Sequence, residues 1–141
     1  MLYSEKELKK RLQGGCPLYY FYAADEALVR SAAGKALHFL HEQDPETTVL
    51  DGPTPTVEEI VLAAGTISFF GGKRLVELPL LRPSTYSDKD LQELCDTLAD
   101  TENAVFVMTS VIEEKYGKLR PGKREQKLIA ACEKIGYCVQ I

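Results

Sequence analysis

Two short runs, LYYFY at Leu18–Tyr22 and AVFVM at Ala104–Met108, limit the fold more than any other feature of this chain. Side chains alternate between faces along a strand, and these runs are apolar at every position, so both faces need covering. Strands of that kind sit inside a parallel sheet with helices packed on either side. Thr47–Leu50, the RLVEL run at Arg74–Leu78 and the closing YCVQI bring the predicted strands to five.

The stretches between them read as amphipathic helices. Ser4 and Glu7 stand in capping-box relation ahead of Leu8 and Leu12. Asp25 can cap a second helix with a stripe of Leu28, Val29, Ala32, Ala33, Ala36, Leu37 and Leu40. Thr56 and Glu59 open a third, striped by Val57, Ile60, Val61, Ala64 and Ile67. Ser87 and Asp90 open a fourth with Leu91, Leu94, Cys95 and Leu98. After a loop, KYGKLRPG, a fifth runs from about Lys123 through Leu128, Ile129, Cys132 and Ile135 and stops at Gly136, the usual residue after a helix. The expected fold is therefore α/β, a three-layer parallel five-stranded sheet flanked by helices, in one domain spanning residues 1–141. The chain stops directly after its last strand, as a domain cut from a longer protein would.

Composition excludes several classes. No segment approaches the ~18 to 20 apolar residues of a membrane span, and MLYSEKELKKRL lacks the apolar core of a secretion signal. The four cysteines, Cys16, Cys95, Cys132 and Cys138, show no CxxC spacing. They read as reduced, mostly buried thiols of a cytoplasmic protein. A net charge of −4 argues against bulk nucleic-acid binding. A local patch is not excluded: KYGKLRPGKREQK gathers Lys115, Lys118, Arg120, Lys123, Arg124 and Lys127. Ordinary solvation of a loop and a helix face is the plainer account of it.

Catalytic chemistry finds little footing. A phosphate loop needs glycines that let backbone N–H groups wrap the phosphates, then Lys and Ser/Thr. The first strand-to-helix turn, YAADEALVR, has no glycine and carries Asp25 and Glu26. AGKA at Ala33–Ala36 lies in mid-helix. His38, His41 and Glu42 lack metalloprotease spacing and read as surface residues near a helix end. Glu58, Glu59, Glu113 and Glu114 read as solvated charge. No catalytic residue, metal ligand or cofactor is assigned.

That leaves the pair Phe69 and Phe70 in TISFFGGKRLVEL. Adjacent helical residues point about 100° apart, so one buried face does not easily take both rings. If the third helix continues that far, at least one ring is exposed, as partner anchors are. If it unwinds at Gly65 or Ser68, both can turn into the core. The residues leave both readings open.

YYFYAADEALVR, SFFGGKRLVEL and VFVMTS followed by a basic loop, a helix and a last strand occur in an order and spacing that resemble a known family. This is the delta subunit of the bacterial DNA polymerase III clamp loader, in its N-terminal domain. The resemblance covers essentially the whole chain. It implies a core like that of AAA+ ATPases with the nucleotide site lost, in agreement with the glycine-free turn. It also implies a cytoplasmic, non-enzymatic clamp opener in DNA replication, whose hydrophobic pair enters a pocket on the sliding clamp (beta subunit). By position the pair falls on Phe69 and Phe70, with Ile67 and Ser68 before it. The family often has Leu then Phe there, so Phe69 is a departure, though a bulky apolar one. The resemblance further implies that other clamp-loader subunits join the full-length protein through lid and collar domains absent here, and that DNA is met only through the assembled complex. No membrane is involved. Two alternatives remain: a degenerate P-loop-type NTPase using AGKA, and a nucleic-acid module using Lys118, Arg120, Lys123 and Arg124.

Overall fold

All six residues of the first strand, Leu18–Ala23, are buried, as a strand covered on both faces must be. The computed structural model describes residues 2–43, 45–65 and 72–141. Among these, the helices are α1 (Glu5–Gln13), α2 (Glu26–His41), α3 (Val57–Gly65), α4 (Asp88–Asp100) and α5 (Lys123–Ile135). The strands are β1 (Leu18–Ala23), β2 (Thr47–Val49), β3 (Arg74–Leu78), β4 (Ala104–Val111), β5 (Glu114–Lys115), β6 (Lys118–Leu119) and β7 (Tyr137–Gln140). Five of them form one parallel sheet in the order β2-β3-β4-β1-β7. The expected α/β architecture with helices on both faces is what the chain adopts.

The pleat of β1 divides the core in two. Tyr19 and Phe21 pack with Leu8 and Leu12 of α1 and with Ala32, Ala36 and Leu40 of α2. Leu18, Tyr20 and Tyr22 pack with Ile60 of α3, Leu91 and Leu94 of α4 and Leu128 of α5. Small side chains on α2 let that helix lie close to the sheet. Four predicted helix starts are capped as expected: Ser4 accepts from Glu7 N–H, Asp25 from Ala27, Thr56 from Glu59 and Ser87 from Asp90. At α5 the Glu125 carboxylate accepts the Gly122 N–H at 2.7 Å.

Some expectations change. Leu28 is 47% exposed and Leu37 only partly buried. The buried face is centred on Val29, Ala32, Ala33, Ala36 and Leu40, and each of those leucines falls about 80–100° from that centre. On α3 the buried set is Val57, Ile60, Ala63 and Ala64, while Val61 points outward. Strand β4 runs three residues beyond Met108 because Thr109, Ser110 and Val111 continue the pairing with Phe21, Tyr22 and Ala23. The predicted loop KYGKLRPG contains part of a small antiparallel hairpin, β5–β6. Gly136 does end α5, but with φ −159°, not in the left-handed conformation. A methyl group there would overlap the carbonyl oxygen of Leu18, so the close approach of β1 is what requires glycine.

Among the described residues no helix is long and apolar enough to cross a membrane. Cys95, Cys132 and Cys138 are buried free thiols and Cys16 is half-buried. Burial pushes the Cys138 thiol up to about 12, so it stays protonated at neutral pH.

The polar end of β4 is tied inside the core. Ser110 Oγ donates to the Leu81 carbonyl at 2.7 Å. Its only proton is then used, so the Tyr20 hydroxyl, 2.6 Å away, is the donor of their mutual bond. Ser110→Ala leaves both partners unpaired and is expected to cost about 2–3 kcal/mol in urea unfolding, against about 1 kcal/mol for Tyr20→Phe, which keeps the Ser110–Leu81 bond.

Candidate functional site

Sheets of this type commonly bind ligands at the carboxyl ends of their strands, where neighbouring connections leave on opposite faces. Here that point lies between β1, which leads to α2 on one face, and β4, which leads towards α5 on the other. The backbone closes it: Ile112 N–H donates to the Ala23 carbonyl at 2.8 Å. Asp25 Oδ1 accepts the Ala27 N–H at 2.7 Å at the amino end of α2. The positive end of that helix therefore faces the chain's own carboxylate where a phosphate would otherwise sit. Lys35 of AGKA is in mid-helix, ion-paired with Glu5 of α1.

The predicted partner-binding residues Ile67, Ser68, Phe69 and Phe70 lie outside the described residues. Their flanks are well defined. Upstream, α3 buries Val57, Ile60, Ala63 and Ala64 against the sheet and α4. The turn before it is pinned by the Tyr86 hydroxyl, which donates to the Pro55 carbonyl at 2.5 Å. Downstream, Arg74 opens β3 and is held three times. Its N–H donates to Asn103 O at 2.9 Å, its Nη1 to Glu46 at 2.8 Å and its Nη2 to Thr48 Oγ1 at 2.7 Å. Both chain segments bordering the pair are therefore anchored in the core or the sheet.

The basic segment folds into β5, β6 and the start of α5. Lys118, Arg120 and Lys123 are exposed, and Arg124 is half-buried with its Nε 3.2 Å from Asp88. Lys115 lies 3.7 Å from Glu113. Tyr116 stands out only in the structure: it is 97% exposed at the hairpin tip. With Gly117 it makes a two-residue turn with positive φ at both positions, 54° and 77°. The Tyr-Gly dipeptide between lysines is the one sequence sign of it.

The histidines do not converge on a common centre. His38 Nε2 is 3.5 Å from Glu42, whereas His41 Nε2 is 3.8 Å from Glu77 of β3. Among the described residues no group of three His, Cys, Asp or Glu side chains is arranged to hold a metal ion.

No protein-family model matches the chain, and no curated protein matches it.

Burial raises the Glu77 carboxyl above its ordinary range, with His41 opposing and Asp51 adding to the shift. A carboxyl raised on folding binds its proton more tightly in the native state. Its stabilising contribution is therefore full at acid pH and lost as pH rises through the folded value. Glu77→Gln is expected to have the higher melting temperature at pH 8, with the gap closing as pH falls through the carboxylate range.

Proposed function

We propose that this chain is a non-catalytic domain that binds a ring-shaped DNA sliding clamp and favours its opened form, as the N-terminal domain of a clamp-loader delta subunit does. The observation that carries the reading is the Phe69-Phe70 pair in SFFGGKRLVEL, bordered on one side by a helix rooted in the core and on the other by the triply bonded Arg74. The parallel α/β sheet and the acid-capped first turn agree with an AAA+-like core that has no working phosphate loop.

Burying two phenyl rings in a clamp pocket supplies ~3 to 6 kcal/mol before ordering costs are subtracted. That is sufficient for an anchor. Opening requires more, because a ligand shifts an equilibrium only by its difference in affinity for the two forms. Surface near the anchor must therefore fit the open ring better than the closed one. Force on residues 66–71 passes to the sheet through the anchored segments on either side. Other loader subunits and DNA would be met by the full-length protein, in the cytoplasm.

One observation favours a second reading, direct contact with single-stranded nucleic acid. A fully exposed tyrosine between Lys115 and Lys118 combines a stacking surface with positive charge.

The test is binding of the domain to a bacterial sliding clamp. Phe69→Ala/Phe70→Ala is expected to weaken it at least about 100-fold with circular dichroism unchanged. Phe69→Leu, which gives the pair common in the resembled family, should retain binding. Equal binding by wild type and the double variant would move the contact elsewhere. Under the second reading, single-stranded DNA binds instead, falls steeply with salt, and weakens on Tyr116→Ala.

A further inference from the structure

The β5–β6 hairpin makes two local choices that work against its own stability. Lys115 and Lys118 stand directly opposite each other across the ladder, where like charges repel. Tyr116 takes the first turn position with φ 54°, a conformation that favours glycine, asparagine or aspartate. Its ring is 97% exposed, so no packing offsets that choice. Departures of this kind, with no return in the core, are expected where a chain meets something other than itself.

The pairing decides which charges share a face. The Arg120 N–H donates to the Glu113 carbonyl at 2.7 Å and carries the ladder one step past the strands. Alternation then groups Lys115, Lys118 and Arg120 with Glu113 on one face, and Glu114 with Leu119 on the other. Three cations thus stand against one carboxylate, which lies 3.7 Å from Lys115. Lys118 and Arg120 are exposed and have no ion pair among the described residues. The Glu125 carboxylate, farther along the chain, is occupied by the Gly122 N–H. A partner must therefore be anionic and must offer a flat face to a lone aromatic ring. An acidic polypeptide satisfies the charge alone, and a duplex keeps its base faces inside the stack. An unpaired strand offers both. We infer that the hairpin tip is a contact for single-stranded nucleic acid, with a base stacked on Tyr116 and neighbouring phosphates held by Lys115, Lys118 and Arg120. The hairpin leaves the sheet at the carboxyl end of β4, whereas residues 66–71 lead towards the amino end of β3. The strand contact is thus additional to a clamp contact and does not depend on it.

The test is fluorescence anisotropy of a labelled oligothymidylate of about 12 nucleotides with the whole chain, over a range of salt. Tyr116→Asn gives the turn a residue it prefers, so the melting temperature should hold or rise while affinity falls at least about fivefold. Tyr116→Trp keeps a stacking ring and should keep binding. Lys115→Gln/Lys118→Gln removes two phosphate contacts and should flatten the slope of log affinity against log salt by about 1.4, which decides the matter if Tyr116→Asn does not fold. Phe69→Ala/Phe70→Ala should leave strand binding unchanged, so failure of the clamp reading and failure of this one are told apart. Absence of binding at low salt overturns the proposal, as does affinity unchanged in Tyr116→Asn. Equal affinity for a blunt duplex overturns it too, and equal affinity for polyglutamate would assign the surface to an acidic protein instead.

Discussion

The placement of β1 between β4 and β7 is the constraint on which the rest of the structure depends. A strand hydrogen-bonded along both edges and apolar on both faces has no surface left for water. Two strands and the five helices cover its four sides. β4 and β7 take the edges, α1 and α2 one face, and α3, α4 and α5 the other. Gly136 shows how tight this enclosure is, since the chain entering β7 passes so close to Leu18 that no side chain fits.

The same arrangement separates the two ends of the sheet by character. At the carboxyl end the chain satisfies itself, with Asp25 on the α2 amino terminus and Ile112 bonded across to Ala23. At the amino end it does not. Arg74 uses three of its groups to tie β3 to its neighbours, yet its Nε and the Tyr19 hydroxyl are buried without a hydrogen-bond partner. Each such orphan costs about 1–3 kcal/mol. Both orphans lie at the end of the sheet where Arg74 opens β3.

Much of this was legible in LYYFY and AVFVM, because complete burial leaves an unbroken apolar run that few other structures tolerate. The caps at Ser4, Asp25, Thr56 and Ser87 were legible for a local reason: donor and acceptor lie within three residues of each other. Properties set by distant partners were not. Leu28 fits a helical stripe as well as Leu40 does, and only the position of the sheet decides which one it covers. Thr109 and Ser110 interrupt the apolar run of β4, and their partners come from residues 80, 81 and 20. The β5–β6 strands are two residues each, too short for any periodicity to register. The orphaned hydroxyl of Tyr19 is invisible in a run where tyrosine reads only as a good strand former. The phenylalanine pair is conspicuous as composition, while its resemblance-based role rests on residues beyond the described part of the chain.

The bond between Tyr20 and Ser110 bears on a choice that hydrophobicity cannot make. Sliding β1 along β4 by one residue would turn its side chains to the wrong faces, but a slide of two restores them, and a strand of leucine, tyrosine and phenylalanine would pack nearly as well there. A buried hydroxyl does not tolerate that slide. Tyr20 sits opposite Met108 and reaches two residues along to Ser110, whose own proton is committed to Leu81. One alignment completes this chain of bonds, and the neighbouring ones break it inside a dry core. The pair acts as a key for alignment, contributing more to uniqueness than to stability, and it lets an almost wholly apolar strand settle in a single position.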